Sequence, residues 1–245
     1  MDNILVKQAD GVLTITINRP DKQNALTQAM YQAMIEAMTS VEHDDAVKVI
    51  ILEGAGEHFT SGNDIADFLA ANQPIETLSV VKWLRKVDEY TKPIIAKVRG
   101  NSVGVGTTVL LHCDLVYCDD TSLFAMPFTQ LGLCPEAGAS LLLPKLIGHQ
   151  KASELLLLGK RFGAEEALGF GFINEICPSH ELDEIVWDVA QQLCALPPES
   201  VGITKSLLKT TPEPVSDRMT REFALFETLL QSDTAKAIFK KFLSK

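Results

Sequence analysis

Several absences bound what this 245-residue chain can be. No apolar run reaches the ~18 residues a membrane-crossing helix needs, so no membrane span is expected. The start, Met1-Asp2-Asn3-Ile4, has neither the basic nor the apolar region of a signal peptide. Basic charge is scarce: 22 Lys and Arg against 32 Asp and Glu give a formal net charge of −10. That balance opposes a nucleic-acid partner, although a local basic pocket around one phosphate could persist in such a field. The five cysteines, Cys113, Cys118, Cys134, Cys177 and Cys194, contain no CxxC pair, and any disulfide scheme leaves one over, the pattern of a reducing compartment. His43, His58, His112, His149 and His180 form no HExxH motif or other ligand cluster. No metal site is therefore expected, and each histidine is read as a surface or structural residue. No repeat or low-complexity tract is visible.

What is present reads as one α/β core with a helical appendage. Residues 12–18 alternate branched residues with Thr as a strand does, and Arg19-Pro20-Asp21-Lys22-Gln23-Asn24 ends it. Thr27 is a helix N-cap candidate, and Met30, Met34, Met38 and Val41 then recur at helical spacing as a core-facing stripe. Strands are expected at 47–53 and 93–98, each running into a glycine-rich loop, and shorter ones at 115–118 and 122–125. Helices are expected from 137 to about 169, and a last strand at 171–176. Past Pro197-Pro198 the pattern is almost wholly helical, with Phe223, Phe226, Leu230, Ala235, Ile238, Phe239 and Phe242 forming apolar stripes. The expected division is a core at 1–196 and a helical region at 197–245.

The two loops carry the functional signal. In Phe59-Thr60-Ser61-Gly62-Asn63-Asp64-Ile65 the chain becomes small before a helix opens at Asp64 or beyond, so that its amides can face an anion. In Arg99-Gly100-Asn101-Ser102-Val103-Gly104-Val105-Gly106-Thr107-Thr108, glycines flank Val105 and permit close backbone approach above a helix start. Either loop alone is a weak signal, and the second lacks the further glycine and acidic residue of a dinucleotide fingerprint.

As a pair at this spacing, the loops resemble those of the crotonase (enoyl-CoA hydratase/isomerase) superfamily. The resemblance extends to Asn18-Arg19-Pro20, Asn24-Ala25-Leu26, Cys113-Asp114, Leu131-Gly132, and Pro135-Glu136 with Gly138. It implies a crotonase-like spiral of ββα units with C-terminal helices that trimerise, and trimers that often pair into hexamers. It also implies an acyl-CoA thioester as substrate, with coenzyme A entering as part of that substrate rather than as a cofactor. By the same resemblance the Asn63 and Val105 amides are the oxyanion donors. Lys22, Ala25, Leu26, Ser61, Gly62, Asp64, Ile65, Gly104 and Phe128 then line the CoA and acyl groove, with Lys22 near the CoA phosphates, although a solvated loop charge explains Lys22 equally well. Phe239 and Lys240 resemble positions where the family's terminal helix closes over CoA, and ordinary amphipathic packing explains them as well.

The resemblance also separates reactions. Hydratases of the superfamily activate water with two glutamates, and Thr108 and Phe128 stand where those carboxylates would be. Neither can replace them in proton transfer. The remaining acid is Glu136, in Leu133-Cys134-Pro135-Glu136-Ala137-Gly138, expected near a helix N-terminus. It sits as the catalytic glutamate does in the Pro-Glu-Gly setting of peroxisomal-type Δ3,Δ2-enoyl-CoA isomerases, with Ala137 departing from the glycine. The expectation is an isomerase with Glu136 as acid and base. The alternatives are another crotonase reaction, such as slow hydration or thioester hydrolysis, and a non-catalytic acyl-CoA scaffold. Apolar neighbours would raise the Glu136 pKa and a nearby amide would lower it, so the sign is open at this level. Asp67 and Glu57 read as solvated charges, and Leu69, Val80, Val81 and Trp83 as amphipathic packing that could also shape an acyl pocket. Leu243-Ser244-Lys245 is not the Ser-Lys-Leu peroxisomal address, and a cytoplasmic setting is the simpler expectation.

Overall fold

The computed structural model describes residues 3–70, 74–209 and 213–243, with the backbone alone described at 68–69 and 241–243. The side chains of Leu69 and Phe242, the first two residues and the last two lie outside that description.

Strands β1 (Ile4–Ala9) and β2 (Val12–Ile17) form an antiparallel hairpin across the tight Asp10-Gly11 turn. Strand β2 then pairs in parallel with β3 (Val49–Gly54), and β3 with β4 (Ile94–Val98). Strand β5 (Asn101–Val103) leaves this sheet, β6 (Leu115–Asp119) returns to it beside β4, and β7 (Leu123–Ala125) leaves again to pair with β5. A two-residue strand, β8 (Phe162–Gly163), pairs with β7, and β9 (Glu175–Cys177) closes the edge beside β6. The result is a six-stranded sheet, β1-β2-β3-β4-β6-β9, and a three-stranded one, β5-β7-β8. Val49 to Leu52 in β3 are all buried, which is why that stretch is continuously apolar: the sheet is covered on both faces.

Helix α1 (Gln28–Ser40) follows β2, α2 (Ile65–Ala70) and α3 (Ser79–Glu89) both follow β3, and the short α4 (Val105–Thr108) follows β5. Thr27 caps α1 as expected, its hydroxyl accepting from the Met30 amide at 3.3 Å. The Met30, Met34, Met38 stripe is buried, and Tyr31 packs on Trp83 of α3 with ring centroids 5.2 Å apart. Val80 and Trp83 are thus core packing. Helices α5 (Ala139–Ile147), α6 (His149–Leu158) and α7 (Ala164–Gly169) follow β7, and α8 (Leu182–Cys194) covers the opposite face of the large sheet over Val12, Val49, Ile51 and Ile95.

Two expectations need correction. The helical stretch at 137–169 is interrupted by β8, which joins β7. The expected strand at 171–176 is mostly a turn: the Gly171 and Phe172 amides donate back to Leu168 and Ala167, and only Glu175–Cys177 is strand. Phe172 and Ile173 are apolar because they plug the core, Phe172 edge-on to Phe124 and Phe162, rather than because they pair in a sheet.

The C-terminal helices are α9 (Pro198–Leu208), α10 (Val215–Gln231) and α11 (Asp233–Leu243). Lys205 of α9 is buried against the core, its Nζ donating to Lys92 O and the Asp114 carboxylate, both at 2.7 Å. Helix α10 buries none of its residues, and it leaves Phe223 and Phe226 exposed, as α11 leaves Ile238 and Phe239. Among the described residues no helix is long and apolar enough to cross a membrane.

Candidate active site

The Phe59–Ile65 segment and the β5–α4 segment meet through main-chain bonds. Thr60 N donates to Asn101 O and Val103 N donates to Thr60 O, a parallel bridge that extends the small sheet. A third strand of chain locks the first loop: Leu26 N donates to Gly62 O, Asp64 N to Leu26 O, and Ser61 N to Gln23 O. Buried Asn24 holds the corner, its Nδ2 donating to Ala55 O and His58 O and its Oδ1 accepting from Arg19 N. Thr60 Oγ1 donates to Asn24 O. The early Asn-Arg-Pro and Asn-Ala-Leu motifs therefore buttress the loop.

The approach of the two loops requires a glycine. Gly62 has φ +94°, and a β-carbon there would lie 2.8 Å from Val103 O. Asn63 follows it, and Val105 opens α4 after Gly104, so the Val105 N–H is one of the first-turn donors a helix cannot satisfy itself. Among the described residues neither the Asn63 nor the Val105 backbone N–H meets an acceptor. The Asn63 side chain is fixed by Tyr31, whose hydroxyl donates to Asn63 Oδ1 at 2.6 Å. Burial, with the charges of Glu136 and Asp67, holds the Tyr31 pKa well above the usual phenol range, so Tyr31 remains a donor.

Glu136 lies at the wall of a cleft of about 370 Å³ lined also by Val81, Leu84, Arg85, Asp88 and His112. It precedes α5 rather than opening it: the helix starts at Ala139, whose N–H donates to Glu136 O. The Thr108 hydroxyl, on the last residue of α4, donates to Glu136 Oε1. Glu136 Oε2 is buried and has no protein partner. Burial pushes the Glu136 pKa above the usual carboxylate value, and the Thr108 bond pulls it partly back. The sign left open by the sequence is therefore upward. Helix α4 thus carries the free Val105 amide at its start and the hydroxyl that grips Glu136 one turn later.

The other expected groove residues divide. Lys22 is exposed at the end of a single turn, Pro20–Lys22, and Ile65 is exposed at the start of α2. Ala25 and Leu26 flank the locked loop, Leu26 being buried. Asp64 is committed to structure, paired with Arg19 at 2.7 Å, which holds its carboxyl below the usual range, and capping α2 through the Ala66 and Asp67 amides. Phe128 is buried in the core, and Phe239 and Lys240 are exposed on α11. Asp67 is not a solvated charge: its Oδ2 accepts from Gln28 N at 2.8 Å. Val81 lines the cleft, as does Leu84, which the sequence did not single out. Also missed were Thr108 as partner of the acid, Tyr31 as partner of Asn63, and His112, whose Nε2 bonds Ala137 O at 2.7 Å. Ala137 is left-handed, at φ +52°, a conformation that strains a residue with a β-carbon by roughly 1–2 kcal/mol.

A mostly parallel sheet covered on both faces and carrying two interlocked loops, with the Glu136 carboxyl held by the helix that follows the second loop, matches the crotonase fold. The chain belongs to the enoyl-CoA hydratase/isomerase family, whose model matches residues 7–245. It is 37% identical over 212 residues to enoyl-CoA delta isomerase 2 of Rattus norvegicus. That match covers 84% of this chain and 54% of the rat protein, so the chain spans about half the length of that relative. It is 31% identical to 4-chlorobenzoyl coenzyme A dehalogenase-2 of Arthrobacter sp, over 84% of this chain and 78% of that one. The crystal structure of an enoyl-CoA hydratase/isomerase from Pseudoalteromonas atlantica T6c superposes with a TM-score of 0.83 at 36% identity, covering 98% of each chain.

Proposed function

We propose that this chain is a Δ3,Δ2-enoyl-CoA isomerase that shifts the double bond of a 3-enoyl-CoA to give the trans-2-enoyl-CoA, a step of fatty acid degradation. The observation that carries this reading is Glu136: one carboxyl, raised in pKa, with Oε1 held by Thr108 and Oε2 buried and bare. The thioester oxygen would accept from the Asn63 and Val105 amides. Ionised Glu136 would take the C2 proton as the C2 electrons form a dienolate on that oxygen. The dienolate would then collapse, taking the same proton from Glu136 at C4 and leaving the double bond between C2 and C3. Atoms balance with no water consumed, so a single acid-base group suffices. Each oxyanion donor supplies about 3 kcal/mol to such a barrier, which explains why the loops are tied so firmly.

Hydration would need a second group to activate water. Thr108 is engaged with Glu136, Phe128 is in the core and Asp67 serves α1, so none of them is placed for that task. The CoA moiety would lie along the exposed edge formed by Lys22, Ala25 and Ile65, its pyrophosphate near Lys22. The helical region from 197 onward would serve assembly, its exposed Phe223, Phe226, Ile238 and Phe239 being apolar surface for a trimer or a pair of trimers, with Phe239 and Lys240 covering the bound CoA. The five free cysteines agree with a cytoplasmic setting.

The test is turnover of 3-hexenoyl-CoA and, separately, trans-2-hexenoyl-CoA by the wild type and Glu136→Gln. Conjugation of the first substrate, lost ~100-fold or more in the variant, is the expected result. Hydration of the second, or full isomerase activity in the variant, would overturn the assignment. Turnover of neither would point to a binder or another acyl group.

A further inference from the structure

The segment that carries the acid is strained and has no helix or strand of its own to hold it. Glu136 is followed by two consecutive left-handed residues, Ala137 at φ +52° and Gly138 at φ +65°. Glycine adopts this conformation freely and alanine does not, so something outside the segment must hold the Ala137 peptide in place. One side chain does so. Buried His112 places Nε2 2.7 Å from Ala137 O and Nδ1 3.1 Å from the Asp88 carboxylate. A carbonyl oxygen and an ionised carboxylate both only accept, so Nε2–H donates to Ala137 O, and the bond to Asp88 is made when Nδ1 carries a proton as well. The main chains that carry the two side chains are tied together as well: Lys209 Nζ, just past α9, donates to the backbone carbonyls Asp88 O at 3.1 Å and His112 O at 3.2 Å. Helix α3 and the residue after α9 thus brace the turn whose histidine bonds the peptide immediately after the acid.

We infer that His112, oriented by Asp88, is a positioning residue that holds the left-handed Ala137 peptide and so keeps the Glu136 carboxyl against Thr108, facing the oxyanion loops. It touches no reacting atom. Its removal acts on how often Glu136 is in place, and so mainly on kcat: the proposed CoA groove lies on other segments, and His112 shares with substrate only the wall of the cleft beside Glu136. The inference deepens the isomerase reading and rests on it.

The experiment compares wild type, His112→Leu, His112→Gln, Asp88→Asn, Ala137→Gly and the double variant His112→Leu/Ala137→Gly with 3-hexenoyl-CoA, alongside a crystal structure of His112→Leu. His112→Leu should lower kcat by about 10-fold to 100-fold, the range of a small misplacement of a catalytic group, with KM within about threefold of wild type. His112→Gln, whose amide N–H can reach Ala137 O, should restore most of the loss. Ala137→Gly should restore part of it in the double variant, because glycine needs no clamp to stay left-handed. Asp88→Asn, at an exposed position, should fold and lose only a few-fold in kcat, so it keeps the test open if His112→Leu does not fold. Unchanged kcat in His112→Leu, a change confined to KM, or strictly additive losses with no rescue would overturn the positioning role. Wild-type inactivity toward 3-hexenoyl-CoA would instead sink the isomerase reading. The crystal structure would then decide the positioning role alone, and residues 136–138 unmoved in His112→Leu would refute it.

Discussion

The amides of Asn63 and Val105 are held by main chain, whereas the Glu136 carboxyl is held by side chains. Around the amides, strand-like bonds tie three segments, 24–26, 60–64 and 101–103, and the critical residue is a glycine with no room for a β-carbon. Around the acid, a threonine from α4 and a histidine from the turn after it hold a left-handed alanine segment. The backbone half resists substitution because its donors belong to every residue type; what matters there is space. The side-chain half can be retuned one residue at a time, which suits a fold whose relatives include both an isomerase and a dehalogenase.

Changes on the two sides should therefore behave differently. Glu136→Gln has the largest expected effect, the ~100-fold or greater loss of turnover already described, with the fold intact. Gly62→Ala comes next. Its methyl would meet Val103 O at 2.8 Å in a left-handed backbone, so the loop must shift, and kcat/KM should fall by about 10-fold to 100-fold through the misaligned Asn63 amide. Wild-type kinetics in the Gly62→Ala variant would show that the loops do not need this approach.

Thr108→Val should do less to rate and more to pH dependence. In the proposed reaction the base works ionised, so activity should be lost as pH falls through the folded pKa of Glu136, which burial raises above the usual carboxylate value. Thr108 lowers the pKa, and deleting the hydroxyl should move the acidic limb of the kcat/KM profile to higher pH, with kcat on the alkaline plateau reduced about tenfold or less. A limb that moves down, or stays put, would break the assigned role.

The smallest expected effect is on stability. A carboxyl whose folded pKa is raised binds its proton more tightly in the folded chain. Its contribution therefore favours folding at pH below the unfolded value and is lost as pH rises through the folded one. Glu136→Gln should accordingly gain stability relative to wild type as pH is raised from about 4 to 8, read as a rise in unfolding midpoint of a few degrees, roughly 2–4 °C for each kcal/mol gained. A gain on acidification instead would contradict a desolvated Glu136.

Much of this was legible in the sequence where the determinant is local. The Thr27 cap, the methionine stripe and both glycine-rich loops were placed because each signal lies within a few consecutive residues. The partners of the site were not, because each is supplied from far along the chain: Thr108 reaches Glu136 across 28 positions, Tyr31 reaches Asn63 across 32 and His112 reaches Ala137 across 25. In the sequence, Thr108 was only the place where the family resemblance leaves a carboxylate missing. The apolar run at 171–176 failed for another reason. Periodicity cannot distinguish a buried strand from a turn whose aromatic side chain fills a hole, and Phe172 does the latter.

The bare Oε2 of Glu136 has a consequence for isotopes. A proton lifted from C2 by a carboxyl oxygen with no hydrogen-bond partner, in a cleft that the acyl chain fills, should exchange with water slowly, and one carboxyl can visit C2 and C4 only from the same side of the acyl chain. In the proposed reaction, deuterium at C2 of the 3-enoyl thioester would reappear at C4 of the product more often than it washes out into water. It would arrive on the face of the chain from which it left.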